Sequence, residues 1–177
     1  MKKIVILFLL ITSISFSQDL DFLDYNNGYK QFKFGLNPEQ IANIEKYPNW
    51  DDDYYKSNNI IPYSYNGSNS YKIFNSDIDY IQLNFHKNKL YYITIKVLIK
   101  LDDNFEEYNY LKKELYILFG KITKTHAEVS KNFITGEIWD GKKVTLELGV
   151  YKSENADECY INIYSNVLLL DQRKGQF

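Results

Sequence analysis

Imidazole, thiol and carboxylate side chains are the groups that could carry a reaction at neutral pH, and here they do not assemble into a motif. Two histidines and one cysteine occur in the whole chain. His86 falls in His86-Lys87-Asn88-Lys89, where a hairpin turn is expected and a polar surface residue needs no further role; His126 lies in a polar connector. Neither shows the i, i+4 spacing or the cysteine pairing that holds zinc. Cys159 keeps apolar register with Ile161 and Ile163, which points to a buried structural thiol rather than a nucleophile. The carboxylates Asp51-Asp52-Asp53 are contiguous, whereas a calcium loop alternates ligands with spacers and turns on a glycine, so a solvated loop is expected. Asp77 with Asp79, and Glu106 with Glu107, are pairs that mean nothing without geometry. There is no glycine-rich phosphate loop and no Gly-x-Ser-x-Gly elbow. The sequence therefore predicts no catalytic residue, metal ligand or cofactor. A hydrolase whose acids lie far apart along the chain would leave no local motif and stands as an alternative.

Tyrosine is the residue type that stands out, with 17 in the chain. By strand parity Tyr80, Tyr92, Tyr151, Tyr160 and Tyr164 share one sheet face with Lys96 and with Gln82, Asn84, Thr94, Thr145, Glu147 and Asn162. Tyrosine offers a rigid apolar body and a polar tip, which suits recognition. It also has high strand propensity, which accounts for some of these positions without any function. The candidate binding residues are Tyr80, Tyr92, Lys96, Tyr151, Tyr160 and Tyr164.

The elements that must position them follow from periodicity. In 80–85 and 91–101, Ile81, Leu83, Phe85, Ile93, Ile95, Val97, Ile99 and Leu101 alternate with polar residues, which defines a hairpin with one dry and one wet face. After Asp102 and Asp103 the period turns helical. Phe105, Tyr108, Leu111, Leu115, Leu118 and Phe119 form a stripe fit to cover the dry face, and Gly120 stops the helix. The same alternation returns at 144–151 and 159–164, around a loop at Asn155-Ala156-Asp157. The expected fold is α+β: an antiparallel sheet with helices packed on one face, built from two tandem helix-plus-sheet repeats, 29–101 and 102–170. In that scheme 74–85 and 90–97 correspond to 139–148 and 159–164. Elsewhere the patterns suggest a loosely docked arm at 18–27, a strand at 29–34, and a helix that starts at the Asn37 cap and ends before Pro48. Further strands are expected at 60–65 and 71–74 beside an Asn66-Gly67 turn, then a polar connector at 123–131, and a frayed end after the apolar run 167–170.

Residues 1–17 read as a cleaved signal peptide: Lys2 and Lys3, an apolar run 4–11, then Ser15-Phe16-Ser17. That run falls short of the roughly 20 residues a bilayer-spanning helix needs. A single domain, 18–177, follows, with no transmembrane span and a periplasmic or secreted destination. Cleavage would remove two lysines and no acids, leaving 19 basic against 23 acidic residues and a formal charge of −4 instead of −2. Without a basic block, nucleic acid is not an expected partner.

Gly35-Leu36-Asn37-Pro38-Glu39-Gln40-Ile41, followed by Ile44 and Pro48, resembles the opening motif of the BamE-type small outer-membrane assembly lipoproteins. Leu115, Leu118, Phe119 and Gly120 before a Trp-containing hairpin look like a looser second copy. Two such units in tandem are also the plan of the secreted β-lactamase inhibitory proteins. The resemblance implies a tandem fold that binds other proteins through the open face of its sheet. The expected function is thus an exported non-catalytic protein-binding module of inhibitor, immunity or envelope-assembly type, its partner another envelope or secreted protein. A periplasmic glycan- or lipid-binding domain is the alternative.

Overall fold

The alternating stretch 76–98 folds as a two-stranded ribbon closed by Lys87 and Asn88, whose φ values of 49° and 60° are those of a tight two-residue turn. Everything else is arranged around it. The computed structural model describes residues 20–47, 53–67, 72–100, 105–125, 133–152 and 157–174. The signal peptide, Pro48, Trp50 to Asp52, Tyr71, Leu101 to Asp103, His126 and Asn155-Ala156 lie outside those residues. In chain order come α1 (Leu20–Asn26), β1 (Gly28–Tyr29), β2 (Phe32–Lys33), a 3-10 turn (Pro38–Gln40), β3 (Ile44–Lys46), α2 (Asp53–Ser57), β4 (Ile60–Tyr65) and β5 (Lys72–Ile73). Then follow β6 (Ser76–His86), β7 (Lys89–Leu98), α3 (Glu106–Phe119), β8 (Lys124–Thr125), β9 (Phe133–Asp140), β10 (Val144–Tyr151), β11 (Glu158–Ser165) and α4 (Asn166–Lys174).

The protein is α+β. Among the described residues nine strands form one antiparallel sheet in the order β3-β4-β6-β7-β11-β10-β9-β8, with β5 also pairing with β6. Read from either edge inward, the chain visits the strands in sequence and reaches the centre last, so β7 and β11 meet in the middle. There Ile95 faces Ile161 and Ile93 faces Ile163. These side chains, with Ile81, Leu83, Leu146 and Leu148, form the dry face and are buried. Tyr108, Leu111, Leu115 and Phe119 of α3 cover it, whereas Leu118 is 38% exposed, one step off the stripe assigned to it. The α3 end is tied to the sheet by Trp139, whose Nε1 donates to the Gly120 carbonyl at 2.9 Å.

Several local readings are corrected. The arm at its described end is the helix α1, with Leu23 buried; the Asp24 carboxylate accepts the backbone N–H groups of Lys142, Lys143 and Val144 at 2.8–2.9 Å. The strand at 29–34 is the hairpin of β1 and β2, because Lys30 takes the left-handed conformation (φ 48°). From Asn37 only a 3-10 turn forms, closed by Asn37 N–H donating to Gln40 Oε1 at 2.8 Å. Ile41 is extended, Asn43 turns back at φ 59°, and the chain then pairs as β3 with β4. With so few apolar residues a helix gains little there, and sheet pairing satisfies the backbone instead. Residues 139–148 straddle the turn at Gly141 between β9 and β10. Residues 171–174 belong to α4, where Gln172 is buried and its Nε2 donates to Asn58 Oδ1 at 3.2 Å. His86 is buried, not a surface turn residue, and neither ring nitrogen has a hydrogen-bond partner among the described residues.

Candidate functional site: a tyrosine-lined cleft

Two irregularities in the β6–β7 register shape the wet face. Pairing shifts between Ile78 and Tyr80, and again between Asn84 and Phe85. A bulge inserts one extra residue and re-aims its neighbours. At the first, Asp79 as well as Tyr80 comes to Lys96: the carboxylate lies 3.4 Å from its Nζ and the ring centroid 5.9 Å. At the second, the consecutive Tyr91 and Tyr92 both line the same hollow, between the dry-face residues Leu90 and Ile93. Leu169, Gln172 and Arg173 of α4 and Tyr55 of α2 stand along its side. The result is an open cleft of about 580 Å³ across the β7–β11 seam. Clefts of this size are typical of ligand sites.

The tyrosines in it are held by one another and by hydrogen bonds. Tyr92 and Tyr164 stack at 5.4 Å with their planes 5° apart, and Tyr151 meets Tyr160 edge-on at 5.3 Å. Tyr164 O–H donates to Glu147 at 2.8 Å, Asn162 Nδ2 to the Tyr151 hydroxyl at 3.0 Å, and Gln82 Nε2 to the Tyr55 hydroxyl at 3.1 Å. Beside the cleft Lys96 pairs with Glu158 at 2.7 Å, and Tyr160 O–H donates to the same carboxylate. The Lys96–Glu158 hydrogen bond holds the Lys96 ammonium above its ordinary pKa and, with the Tyr160 hydroxyl second, the Glu158 carboxyl below its own. Burial pushes the Tyr151 hydroxyl up to about 12 and raises Tyr92 well above the usual phenol range, so both remain protonated. The Glu147 carboxyl is raised by desolvation, against the hydrogen bonds from Tyr164 and Asn162 and the field of Arg173.

Four of the expected binding residues, Tyr92, Tyr151, Tyr160 and Tyr164, line the cleft. Tyr80 and Lys96 stand at its edge, the Tyr80 ring 6.4 Å from that of Tyr160. Tyr55, Tyr91, Leu169, Gln172 and Arg173 were not expected there. Tyr91 has the wrong strand parity unless the bulge is known, and the others reach the cleft from distant segments. Cys159 lies on the buried face, and burial pushes its thiol up to about 12. Among the described residues no three His, Cys, Asp or Glu side chains gather as a metal site, and no helix is long and apolar enough to cross a membrane. Compared with protein-family models, curated proteins and solved structures, the chain matches none.

Proposed function

We propose that this chain is an exported, non-catalytic binding module that receives a protruding polar segment of another envelope or secreted protein in its tyrosine cleft. The observation that carries this reading is a concave aromatic surface already ordered before any partner arrives. Its rings are packed and the hydroxyls of Tyr55, Tyr151, Tyr160 and Tyr164 are hydrogen-bonded, so little side-chain entropy remains to be lost on binding. Catalysis is disfavoured because Glu147 is the only acid lining the cleft among the described residues, and paired-carboxylate hydrolysis needs a second. The mirrored strand order supports reading the two halves as repeats, with the cleft at their seam. Export is checked by intact mass of the protein recovered from the envelope or medium, which should lack residues 1–17.

Tyr92 stacks flat on Tyr164, so removing it would also free that ring; the anchors to remove are Tyr151 and Tyr160. Tyr151→Ala/Tyr160→Ala should weaken partner binding by about 2 kcal/mol or more, roughly thirtyfold in affinity, while thermal unfolding verifies the fold. Affinity capture from the native envelope with both forms is the experiment. Equal recovery of partner by a folded double variant would remove this face from consideration. A short glycan is the second reading, favoured by the cleft's volume and its mixed tyrosine, amide and arginine lining; protection of the wild type by oligosaccharides in thermal unfolding would select it.

A further inference from the structure

One charge in the tyrosine cleft is left uncommitted. Arg173, in the last turn of α4, lines the cleft and is exposed to solvent. Its guanidinium forms no ion pair or hydrogen bond among the described residues and acts on Glu147 only through its field. Glu147 is already engaged, accepting the Tyr164 O–H at 2.8 Å. Nearby, Asp171 of α4 faces Lys87 of the β6–β7 turn at 3.7 Å, and neither of these lines the cleft. Two more donors stand open beside the arginine. Tyr92 and Thr94, successive residues on the wet side of β7, are partly exposed, and their hydroxyls form no hydrogen bond among the described residues. With Tyr55, Tyr151, Tyr160 and Tyr164 bonded within the fold, what the cleft still offers an incoming group is a guanidinium and two hydroxyls.

Resting on the reading of the cleft as a protein-binding site, we propose that the segment it receives is a loop with an aspartate or glutamate at its tip, and that Arg173 takes the carboxylate. A guanidinium is planar and meets a carboxylate with two parallel N–H···O bonds, a match that a neutral or basic tip cannot make. The Tyr92 and Thr94 hydroxyls are then donors for the carbonyl groups that flank the acid. A lysine or arginine tip would meet Arg173 as a like charge, with Glu147 already engaged by Tyr164 as its sole acidic partner in the lining. The chain is itself net acidic, so its field opposes a broadly acidic surface, and a single carboxylate is what the one arginine fits.

Selection of phage-displayed, disulfide-closed loops with randomised tips on the full chain tests it. Loops enriched on the wild type should carry an acid at a fixed position, and changing that acid to its amide should weaken the synthetic loop about tenfold in titration calorimetry. Arg173→Gln should weaken the same loop about tenfold and Arg173→Lys about threefold. Both variants should keep the melting temperature of the free protein, because the exposed guanidinium has no partner to lose. Selection on Arg173→Glu should enrich lysine or arginine where the wild type enriches the acid. Loops that fail to bind Tyr151→Ala/Tyr160→Ala, yet keep their affinity for Arg173→Gln and in their own amide form, would overturn the carboxylate and leave the cleft as a protein site. Loops indifferent to both variants, or no enrichment at all, would overturn the two together; thermal protection by oligogalacturonate would then give the arginine to an acidic glycan.

Discussion

Glu137 offers the sharpest test of how the helical layer is fastened to the sheet. It sits on β9 opposite Leu148, on the dry face, with its side chain only 5% exposed. There it accepts from the Tyr108 hydroxyl and the Lys112 ammonium, one turn apart on α3. Lys112→Met removes the charge partner and keeps the aliphatic stem. Breaking a buried ion pair from one side costs about 3–5 kcal/mol, since an uncompensated charge is left behind. Lys112 keeps 37% of its side chain in water and Tyr108 still donates, so the expected loss is smaller, about 2–3 kcal/mol. Adding Glu137→Leu removes the stranded charge, and the Tyr108 hydroxyl retains Thr135 as a neighbour. The double variant should therefore lie within about 1 kcal/mol of the wild type. Urea unfolding of all four forms closes the cycle. A Lys112→Met variant within about 0.5 kcal/mol of the wild type, or a double variant no more stable than the single, would refute the reasoning.

Register is checked by a pair of neighbours: Ile95→Asn should cost about 3–4 kcal/mol by burying an unpaired amide where a methyl-rich side chain packs, while Thr94→Ala, on the cleft side, should cost about 0.5 or less. Equal urea midpoints would show the faces to be misassigned. Glu147 has a raised carboxyl pKa in the folded protein, so its contribution to stability is greatest below the unfolded-state value and is lost as pH rises through the folded one. Glu147→Gln should accordingly flatten the stability profile above pH 4, and a variant whose profile parallels the wild type would contradict the assigned desolvation. Asp24→Ala strips the acceptor from three backbone N–H groups and should cost about 1–3 kcal/mol, with faster amide exchange at Lys142 to Val144.

Features that depend on backbone geometry alone are legible in the order of the residues. Alternation at 80–98 and 144–164 repeats with the pleat, so the dry and wet faces, and the sharing of one face by Tyr80, Tyr92, Tyr151, Tyr160 and Tyr164, could be read from parity. The stripe of α3 could be read from the helical period in the same way, to within Leu118. Tertiary structure alone decided where the wet face becomes a cleft. That required β7 to pair with β11 across 62 residues of chain, as the Lys96–Glu158 contact records. It also required a register shift that puts Tyr91 beside Tyr92, and the docking of α4 against a segment 114 residues away through Gln172 and Asn58. The helix expected after Asn37 became β3 for the same reason, since a weakly apolar segment takes whichever partner satisfies its backbone. Periodicity reports how a segment presents its side chains. It carries no term for the distant surface that will meet them, and a bulge, an Asp24 carboxylate holding three backbone N–H groups of another segment, or a buried His86 exists only once that surface is in place.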